Sequence, residues 1–449
     1  MKTNTTPLTK SVSRLLGITG MFSLAFLLGC DSEEEKQKPN VILIMADDLG
    51  YGDLSCYGSE TIHTPNIDSL SEHGLTFTDY HSNSSVSTPT RAALLTGRYQ
   101  QRSGLEGVIY VRGETRQTGL APSEVTFAEV LKNAGYTTGI MGKWHLGYKK
   151  KFNPVHQGFD EFYGYVSGNI DFHSHYDNAG IYDWWHNLDT IREEGYVTDL
   201  ITDHSVEFIR ENQDKPFVLY VSHEAPHVPF QGRNDTAYRY PDRDFSYLGP
   251  VEDTAATYRE MVEVMDEGVG RVMQTLRDLD LEEETFVVFC SDNGARFGSN
   301  GNLRGDKTSL WEGGHRVPAV AYWKGKIEPG RSDELAVSFD LFPTMLSITN
   351  TGKPDTLNLD GIDLSPLLFQ CETLPERTVV WRYRGQKAVR KGPWKLMITE
   401  SDTLLFDLDA DRDESNDLAP ENPGKVEELL NEYRQWKADV VKGVTMRTD

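Results

Sequence analysis

Short apolar runs rich in β-branched residues alternate along this chain with segments of helical periodicity. The apolar runs are bounded by turn or polar residues and cover residues 41–45, 136–141, 217–221, 286–290 and 317–322. Apolar residues at helical spacing cover residues 67–73, 125–133, 198–211, 255–279 and 341–348. Strands that alternate with helices predict an α/β fold in which a mostly parallel central sheet is sandwiched by helices.

The segment 255–279 has the clearest helical pattern in the chain. Its apolar residues recur at i, i+3 and i+4, a spacing that predicts one buried stripe along an amphipathic helix. The stripe consists of Tyr258, Met261, Val264, Met265, Val269, Val272, Met273 and Leu276. Asp253 or Thr254 stands just before the pattern and would cap the N-terminus of the helix.

The pattern changes after about residue 375. Short strand-like pieces at 378–383, 394–398 and 404–406 are followed by a helical segment at 425–440. Consecutive short strands predict an antiparallel sheet, so residues 375–449 are expected to form a small C-terminal subdomain. With 449 residues, of which 38% are hydrophobic, the chain can bury a large core in residues 39–374 and still support this second unit.

The N-terminal segment has the pattern of an export signal. Lys2, Lys10 and Arg14 precede an apolar run at 21–28 that is too short to span a membrane as a mature helix. Leu27-Leu-Gly-Cys30 resembles a bacterial lipobox, which predicts that residues 1–29 are removed and Cys30 is lipidated; the alternative is an ordinary signal peptide with an incidental cysteine. Residues 30–38 form an acidic tether that resembles a surface-export signal of bacterial lipoproteins. The expected location is the outer membrane, at the cell surface or on its periplasmic face.

The charge balance limits the possible partners. Acidic residues outnumber basic ones by 69 to 45, which gives a formal net charge of −24 at pH 7. Such a field excludes nucleic acid as a partner and disfavours anionic membrane surfaces, so membrane contact is expected through the lipid anchor only. An anionic substrate would therefore need a local cationic pocket.

Polar residues follow four of the predicted strands directly. The first strand leads into Asp47 and Asp48, and the strand 286–290 leads into Asp292 and Asn293. The other two strands lead to the basic residues Lys143, His145, His223 and His227. Ligands of open α/β sheets bind beyond the carboxyl ends of the strands, so these side chains are expected to face one pocket.

The acidic set has the composition of a metal site. Three carboxylates and an amide, without Cys or His, suit a hard cation such as Ca²⁺ or Mg²⁺. The structural alternative is that Asp47 and Asp48 cap a helix and that Asp292 and Asn293 form a turn. A second, cationic set would bind a tetrahedral oxyanion and stabilise charge that builds up on it: Arg91, Lys143, His145, His227 and Lys307.

Several motifs resemble one enzyme family. Ser87-Thr-Pro-Thr-Arg-Ala-Ala-Leu-Leu-Thr-Gly97 resembles the sulfatase signature, in which Cys or Ser, any residue, Pro, a small residue and Arg precede Leu-Leu-Thr-Gly. Further blocks similar to that family follow its order at 40–54, 135–145, 225–229, 291–294, 303–318 and 405–411. By these blocks, about residues 39–440 are identified as a member of the formylglycine-dependent sulfatases, Ser type, with an alkaline-phosphatase-like fold.

The resemblance implies a mechanism and a set of roles. A maturation enzyme would oxidise Ser87 to formylglycine, whose hydrated aldehyde attacks sulfur and later expels the sulfate. One calcium ion would be held by Asp47, Asp48, residue 87, Asp292 and Asn293. Arg91 and Lys143 would hold the formylglycine and His145 would act as its base; Lys307 and His227 would contact the sulfate and the leaving oxygen, with His227 as the general acid. Because the first residue is Ser rather than the commoner Cys, maturation should need the radical-type maturase that accepts Ser.

The segment 167–186 is dense in polar and aromatic groups and is predicted to form the sugar-binding wall. In this interpretation Asn169, Asp171, His173 and His175 face sugar hydroxyl groups. Two alternatives stay open: a loop that packs its aromatic residues on the domain, and a His-rich metal site.

The expected activity is hydrolysis of sulfate esters on a sulfated carbohydrate, such as algal ulvan or galactan, or a glycosaminoglycan. Two other functions are compatible with the same pocket. One is a phosphoesterase of the same superfamily, because phosphate and sulfate groups have similar shapes. The other is a non-catalytic surface lipoprotein that binds glycans and leaves Ser87 unmodified.

Overall fold

A computed structural model describes residues 38–442 and 444. The strands in this part of the chain are β1 (Asn40–Ala46), β2 (Leu75–Phe77), β3 (Tyr80–His81), β4 (Thr137–Lys143), β5 (Glu161–Tyr165), β6 (Trp185–His186), β7 (Asp189–Thr190), β8 (Phe217–Ser222), β9 (Thr285–Ser291), β10 (Ala319–Tyr322), β11 (Gly330–Ser332), β12 (Ala336–Val337), β13 (Thr378–Tyr383), β14 (Gln386–Lys391), β15 (Trp394–Ile398) and β16 (Thr403–Asp407). The α-helices are α1 (Pro65–His73), α2 (Ser87–Thr96), α3 (Phe127–Asn133), α4 (Val197–Glu211), α5 (Thr254–Asp278), α6 (Glu312–His315), α7 (Leu341–Ile348), α8 (Ser365–Gln370) and α9 (Pro423–Val440). Short 3-10 helices cover Ser55–Tyr57, Glu114–Gln117, Lys150–Phe152, Pro154–Gln157, Glu282–Glu284 and Ser338–Asp340.

The central sheet has ten strands in the order β11-β2-β10-β9-β1-β8-β4-β5-β6-β7. Its middle strands β9, β1, β8, β4 and β5 are parallel, and Val41 of β1 pairs with Val218 on one side and Phe286 on the other. Antiparallel pairing occurs only toward the edges, for example between β9 and β10. The predicted mostly parallel α/β sheet is therefore confirmed, and the carboxyl ends of four predicted strands meet at one edge.

Strand β1 is buried on both faces, which explains its unbroken apolar sequence. Successive side chains of a strand point to opposite faces. Val41, Leu43 and Met45 pack in a core with residues of α2, α3 and α7, whereas Ile42 and Ile44 pack in a second core with residues of α1, α4 and α5. Two-sided burial of this kind is typical of parallel sheets, and it places helices on both faces.

Helix α5 confirms the amphipathic pattern at 255–279. The Asp253 side chain accepts a hydrogen bond from the Ala256 amide at 3.0 Å, so Asp253 is the cap. The apolar stripe is buried against α4 and the sheet. Helix α3 begins with a complete capping box, in which Thr126 and Glu129 each bond the other's backbone amide.

The C-terminal strands β13–β16 form a separate antiparallel sheet, as predicted. One face packs on α9 through residues such as Leu396 and Leu429. The other face packs on residues of the main domain, including Trp381 against Val86 and Phe339. Strand β14 was not predicted, because the sequence from Gln386 to Lys391 has only two apolar residues.

The predicted signal peptide, Cys30 and nearly all of the tether lie outside the described residues. From Lys38 onward the chain forms one unit, so the boundary at 374/375 stays a prediction. None of the helices that the structure describes has both the length and the apolar character needed to cross a bilayer.

Candidate active site

The predicted acidic and basic residues converge at the carboxyl edge of β9, β1, β8 and β4. Asp47 and Asp48 follow β1, Asp292 and Asn293 follow β9, and Lys143 is the last residue of β4. The Asp48 amide donates to the Asp292 Oδ1 at 3.1 Å, which joins the two acidic pairs directly. Neither pair caps a helix, so the alternative that Asp47 and Asp48 are helix-capping residues is excluded.

Each of the three carboxylates lies against one cation. The Lys143 ammonium donates to Asp47, the Lys307 ammonium lies 2.6 Å from Asp48, and the Arg91 Nη2 donates to Asp292 at 3.0 Å. The side chains of Asp47, Asp292, Arg91 and Lys143 are fully or almost fully buried. Buried charges require partners of this kind, since each would otherwise lose its hydration without compensation.

Burial and ion pairing shift the pKa values of these groups in opposite directions. Burial raises the pKa of Asp47, against the effect of Lys143, and burial lowers the pKa of Lys143 itself. For Asp48 the burial effect is outweighed by Lys307 and then His227, so its pKa is lowered. The neighbouring cations therefore favour the charged forms of Asp48 and Asp292, whereas burial prevails at Asp47 and favours its protonated form.

Asn293 provides the best test of whether the acidic set fits a metal ion. Its Nδ2 donates to the Asp48 Oδ1 at 2.7 Å and to the Gly294 carbonyl at 3.1 Å, whereas its Oδ1 is buried without a hydrogen-bond partner. An unpaired buried amide oxygen beside three carboxylates is a suitable ligand for a hard cation. Carboxylate oxygens of Asp47 and Asp48 also lie within 4.8 Å of each other and of a ring nitrogen of His227. The residues present therefore fit the predicted calcium site.

Ser87 is the first residue of α2, beside this cluster. Its hydroxyl donates to the Asp47 Oδ1 at 3.2 Å, and its side chain is buried but lines the cavity above the cluster. The unpaired amides at a helix N-terminus favour negative charge. Arg91 lies one turn further along α2, on the same face, and donates to the Ser222 hydroxyl at 2.5 Å. The short spacing in the sequence thus places Ser87 and a cation on the same face of the helix.

His145 has the bonding pattern of a neutral base. Its Nε2 lies 3.1 Å from the Ile109 carbonyl, which can only accept, so Nε2 carries the proton. The buried Nδ1 has no hydrogen-bond partner. Burial, followed by the charges of Lys143 and Arg91, lowers the pKa of His145 well below its usual value. An unprotonated Nδ1 is therefore available to accept a proton.

His227 donates its hydrogen bond from the other ring nitrogen. Its Nδ1 lies 2.7 Å from the Val228 carbonyl and must donate to it, and its Nε2 lies 3.6 Å from the Asp48 Oδ2. Burial and then Lys307 lower the pKa of His227 to about 3. The protonated form would be a strong acid, which suits transfer of a proton to a poor leaving group.

The backbone of the site includes unusual conformations. Asp48, His145 and Thr308 have positive φ angles of 64°, 56° and 78°. Residues other than Gly adopt this region rarely, and such strain clusters at functional sites. Gly294 has no space for a side chain, because a Cβ would lie 1.9 Å from the Gly313 carbonyl oxygen.

A cavity of about 360 Å³ opens above these residues. The predicted catalytic residues Ser87, His145, His227 and Lys307 all line it. Arg91 and Lys143 lie beneath, where they contact the carboxylates. The structure thus brings together every residue predicted for catalysis and for metal binding.

The predicted sugar-binding wall is only partly correct, because only Asn169 of its four residues lines the cavity. Asp171 is fully buried, and its two carboxylate oxygens accept backbone amides from residues 173, 174, 238 and 239. His175 is buried with its Nε2 on the Gly195 carbonyl at 3.1 Å, and the His173 Nε2 lies 3.0 Å from the Gly232 carbonyl. Asp171 and His175 are buried away from the cavity, so the prediction that these two face sugar hydroxyls was wrong. His173 is half-buried and does not line the cavity. The His-rich metal site is not formed either: among the described residues, the groups able to hold a metal lie elsewhere.

Several cavity residues were not predicted from the sequence. Tyr110, Tyr247, Arg296 and Arg384 line its mouth. Arg296 follows the Asp292–Asn293 pair by three residues, and this proximity in the sequence could have placed it near the site. Arg384 lies in the turn between β13 and β14 of the C-terminal sheet, where no local pattern points to the site.

Comparisons with known proteins identify a family to which this chain is similar. The sequence profile of the Sulfatase family matches residues 39–351. Human arylsulfatase A is 36% identical over 88% of this chain and 86% of its own, and N-acetylgalactosamine-6-sulfatase of Canis lupus familiaris is 35% identical over 80% and 71%. The crystal structure of Ps i-CgsB in complex with k-i-k-neocarrahexaose aligns with a TM-score of 0.82 and 29% identity, over 92% of this chain and 95% of that one.

Proposed function

This chain belongs to the sulfatase family, and we propose that it removes sulfate groups from a sulfated saccharide with a formylglycine formed at Ser87 and one bound calcium ion. It is a sulfuric ester hydrolase of sulfated carbohydrates, and the nucleophile, the metal and the sugar are the proposed parts. The observation that carries the proposal is the position of Ser87. Its hydroxyl lies in the cavity, 3.2 Å from the Asp47 carboxylate of the oxygen-donor cluster, and the same cavity is lined by His145, whose Nδ1 has no hydrogen-bond partner.

The two groups would supply distinct chemistry. Hydrated formylglycine would supply two geminal hydroxyls, one to attack sulfur and one whose oxygen expels the sulfate afterwards, whereas an unmodified serine has only the first; calcium would supply positive charge next to the sulfate oxygens. Asp47, Asp48, Asp292 and Asn293 would hold the ion. Lys307, which lines the cavity, would bind a sulfate oxygen.

The two histidines divide the proton transfers. His145 takes a proton at Nδ1 when the new bond to sulfur forms, because its Nε2 is already committed to the Ile109 carbonyl. His227 gives a proton from Nε2 to the ester oxygen as the bond between sulfur and that oxygen breaks. A sulfate ester beside Lys307 would favour the protonated imidazole of His227, since it adds negative charge to a buried site.

The proposed substrate is a fragment of a sulfated polysaccharide: an algal galactan or ulvan, or a glycosaminoglycan. Support comes from the relatives, of which one is named for N-acetylgalactosamine 6-sulfate and another binds a neocarrahexaose. The proposed transient partner is a maturase that accepts Ser. We also propose that the protein is an exported lipoprotein attached through Cys30, which the Leu27–Cys30 pattern supports.

The test is sulfate release by protein coexpressed with a Ser-accepting maturase and supplied with calcium. The panel contains neocarrahexaose, ulvan and chondroitin 6-sulfate oligosaccharides, and 4-nitrophenyl phosphate as the phosphoesterase probe. Oxidation of Ser87, measured by mass spectrometry, lowers the peptide mass by about the two hydrogens removed. We expect sulfate release that is lost in Ser87→Ala.

The matched control is Ser85→Ala, whose hydroxyl has no hydrogen-bond partner and which should keep full activity. Release of phosphate but not sulfate would overturn the proposal in favour of a phosphoesterase. Binding without turnover, despite confirmed oxidation of Ser87, would favour a glycan-binding protein.

Calcium binding has a separate readout. Titration of CaCl₂ into metal-free protein should raise the thermal unfolding midpoint, because an ion that binds only the folded state stabilises it. Asn293→Leu removes the unpaired oxygen ligand and should weaken the apparent calcium affinity at least about tenfold. Equal midpoint shifts in both proteins would contradict the assignment of Asn293.

A further inference from the structure

The mouth of the cavity has a charge opposite to that of the protein as a whole. The chain carries 69 acidic and 45 basic residues. Among the described residues that line the cavity there is no Asp or Glu, whereas Arg296, Lys307 and Arg384 are present. A cationic mouth in an acidic protein attracts anionic ligands locally, because low-dielectric walls focus the field of the few charges that line them.

Arg296 is available to a ligand. It is exposed on the loop that follows β9, three residues after Asn293, and it lines the cavity. No hydrogen bond or ion pair joins its side chain to another described residue. Its five N–H donors are therefore directed to solvent or to a bound molecule.

Arg384 approaches the same cavity from the C-terminal sheet. It occupies the turn between β13 and β14 with a φ of 52°, directly before Gly385. A glycine would adopt this conformation without strain, so an arginine here is unfavourable for the fold and suggests a functional role. The guanidinium lies 5.2 Å from the Tyr383 ring centroid and has no carboxylate partner in the described chain.

Aromatic side chains lie between the charged ones. Tyr110 and Tyr247 line the cavity and are 52% and 51% exposed, so their rings are accessible to a bound molecule. A tyrosine ring offers an apolar face for a sugar ring and a hydroxyl for its polar groups. The mouth therefore combines cations with surfaces that suit a saccharide.

We propose that Arg296 and Arg384 bind anionic groups other than the sulfate that is cleaved, so that the enzyme selects saccharides with more than one anionic group. This inference depends on the proposed function, in which Ser87 and Lys307 act on the cleaved sulfate. The second group is a sulfate ester or a uronate carboxylate, since a guanidinium binds either one through paired N–H donors.

The first experiment measures binding, so that it does not depend on turnover. The calcium-loaded Ser87→Ala protein is titrated calorimetrically with two neocarratetraoses. Both probes are defined by their total sulfate content, so one tetraose carries a single sulfate in the whole molecule and the other carries two. We expect the doubly sulfated probe to bind about tenfold more tightly. Arg296→Gln and Arg384→Gln should each weaken its binding about five- to tenfold, as expected for a lost charge-assisted hydrogen bond, and change binding of the other probe less than about twofold.

A second pair of probes distinguishes the two sources of charge. Chondroitin 6-sulfate tetrasaccharide is compared with its carboxyl-reduced form, which lacks the uronate charge. If the more highly sulfated neocarratetraose binds more tightly and both arginine substitutions abolish that difference, the second anionic group is a sulfate. If the unreduced chondroitin tetrasaccharide binds more tightly and both substitutions abolish that difference, the second group is a carboxylate. If neither pair shows a preference for the more charged probe, the proposal is wrong.

Arg412→Gln is the matched control, because Arg412 is also exposed, has no ion-pair partner in the described chain and does not line the cavity. The proposal would be overturned by a general charge effect. Such an effect would appear as an equal loss of affinity in Arg412→Gln, or as an equal loss of affinity for both probes of a pair in the cavity variants. Failure of the proposed function is seen separately, as absence of sulfate release from every substrate by protein that contains formylglycine.

Discussion

The contact between Asn169 and Arg239 decides which part of the Asn169 amide faces the cavity. The Arg239 Nη1 donates to the Asn169 Oδ1 at 2.7 Å, and Arg239 is fully buried. A guanidinium has only donors, so the amide oxygen must face it and the Asn169 NH₂ group stays available to the cavity. Asn169 therefore presents a donor, which suits a sulfate oxygen or the oxygen of a sugar hydroxyl.

Substitution of Asn169 tests this orientation. Asn169→Ala removes the donor, whereas Asn169→Asp keeps the bond with Arg239 and places a second carboxylate oxygen toward the substrate. We expect KM for sulfate release to rise about tenfold in the alanine variant and further in the aspartate variant, because the carboxylate repels an anionic ester. A KM for Asn169→Asp at or below that of Asn169→Ala would contradict the orientation.

His223 makes the free energy of unfolding depend on pH. It is buried, its Nδ1 has no hydrogen-bond partner, and burial lowers its pKa to about 4. The unfolded chain takes up a proton near pH 6.5, so this residue contributes its full stability above that pH and loses it as pH falls through about 4. His223→Leu should therefore reduce the loss of unfolding free energy between pH 7 and pH 4 by about 3 kcal/mol, as measured by urea unfolding. His156→Leu, at an exposed site, should leave the pH profile unchanged, and an unchanged profile in His223→Leu would refute the assignment.

At the scale of elements, buried ion pairs attach the C-terminal sheet to the main domain. The Lys395 ammonium on β15 lies 2.8 Å from carboxylate oxygens of Glu312 and Glu414, and all three side chains are fully buried. His81 and His315, which with Glu312 could hold a metal, lie in the same network with their Nδ1 atoms 2.9 Å apart. Because Glu312 is already bound by Lys395 and Arg316, we interpret this network as structural.

Removal of Lys395 should be costly. Lys395→Met leaves two buried carboxylates without their shared cation, for which a loss of about 3–5 kcal/mol is expected in the free energy of unfolding by urea. Lys391→Met on the neighbouring strand removes partly exposed pairs with Glu428 and Glu432 and should lower the free energy of unfolding far less, because exposed ion pairs stabilise a fold little. Equal effects of the two substitutions would indicate that the network does not stabilise the docking of the sheet.

Elements differ in how far the sequence predicts them. Strands β1, β4, β8 and β9 are predictable because two-sided burial requires continuous apolar residues. Strand β14 is not, since the charged side chain of Arg390 finds its partner Asp79, at 2.7 Å, only after the sheet has packed on the main domain. The loop around Asp171 was misassigned for a related reason, because its polar side chains bond the backbone of a segment more than sixty residues away.

At the scale of the whole molecule, the proposed lipid anchor predicts where the protein is found. Cys30→Ala should abolish incorporation of labelled palmitate and release the protein into the soluble fraction, since a lipidated N-terminus is the proposed attachment to the membrane. Cys371→Ala is the control, because Cys371 is an exposed cysteine within the folded unit and should leave labelling unchanged. Persistent labelling of the Cys30→Ala protein would exclude lipidation at this position.

The sequence by itself determined the parallel sheet, the acidic pairs at its strand ends and the residues of the sulfatase motif. These features depend on local apolar patterns and on short spacings, such as the single helical turn between Ser87 and Arg91. The tertiary structure decided which groups face each other: Lys307 reaches Asp48 from 259 residues away, Arg239 orients Asn169, and Arg384 reaches the mouth of the cavity from a separate sheet. Contacts between residues distant in sequence depend on how the elements pack, and no local pattern of residue types encodes that packing.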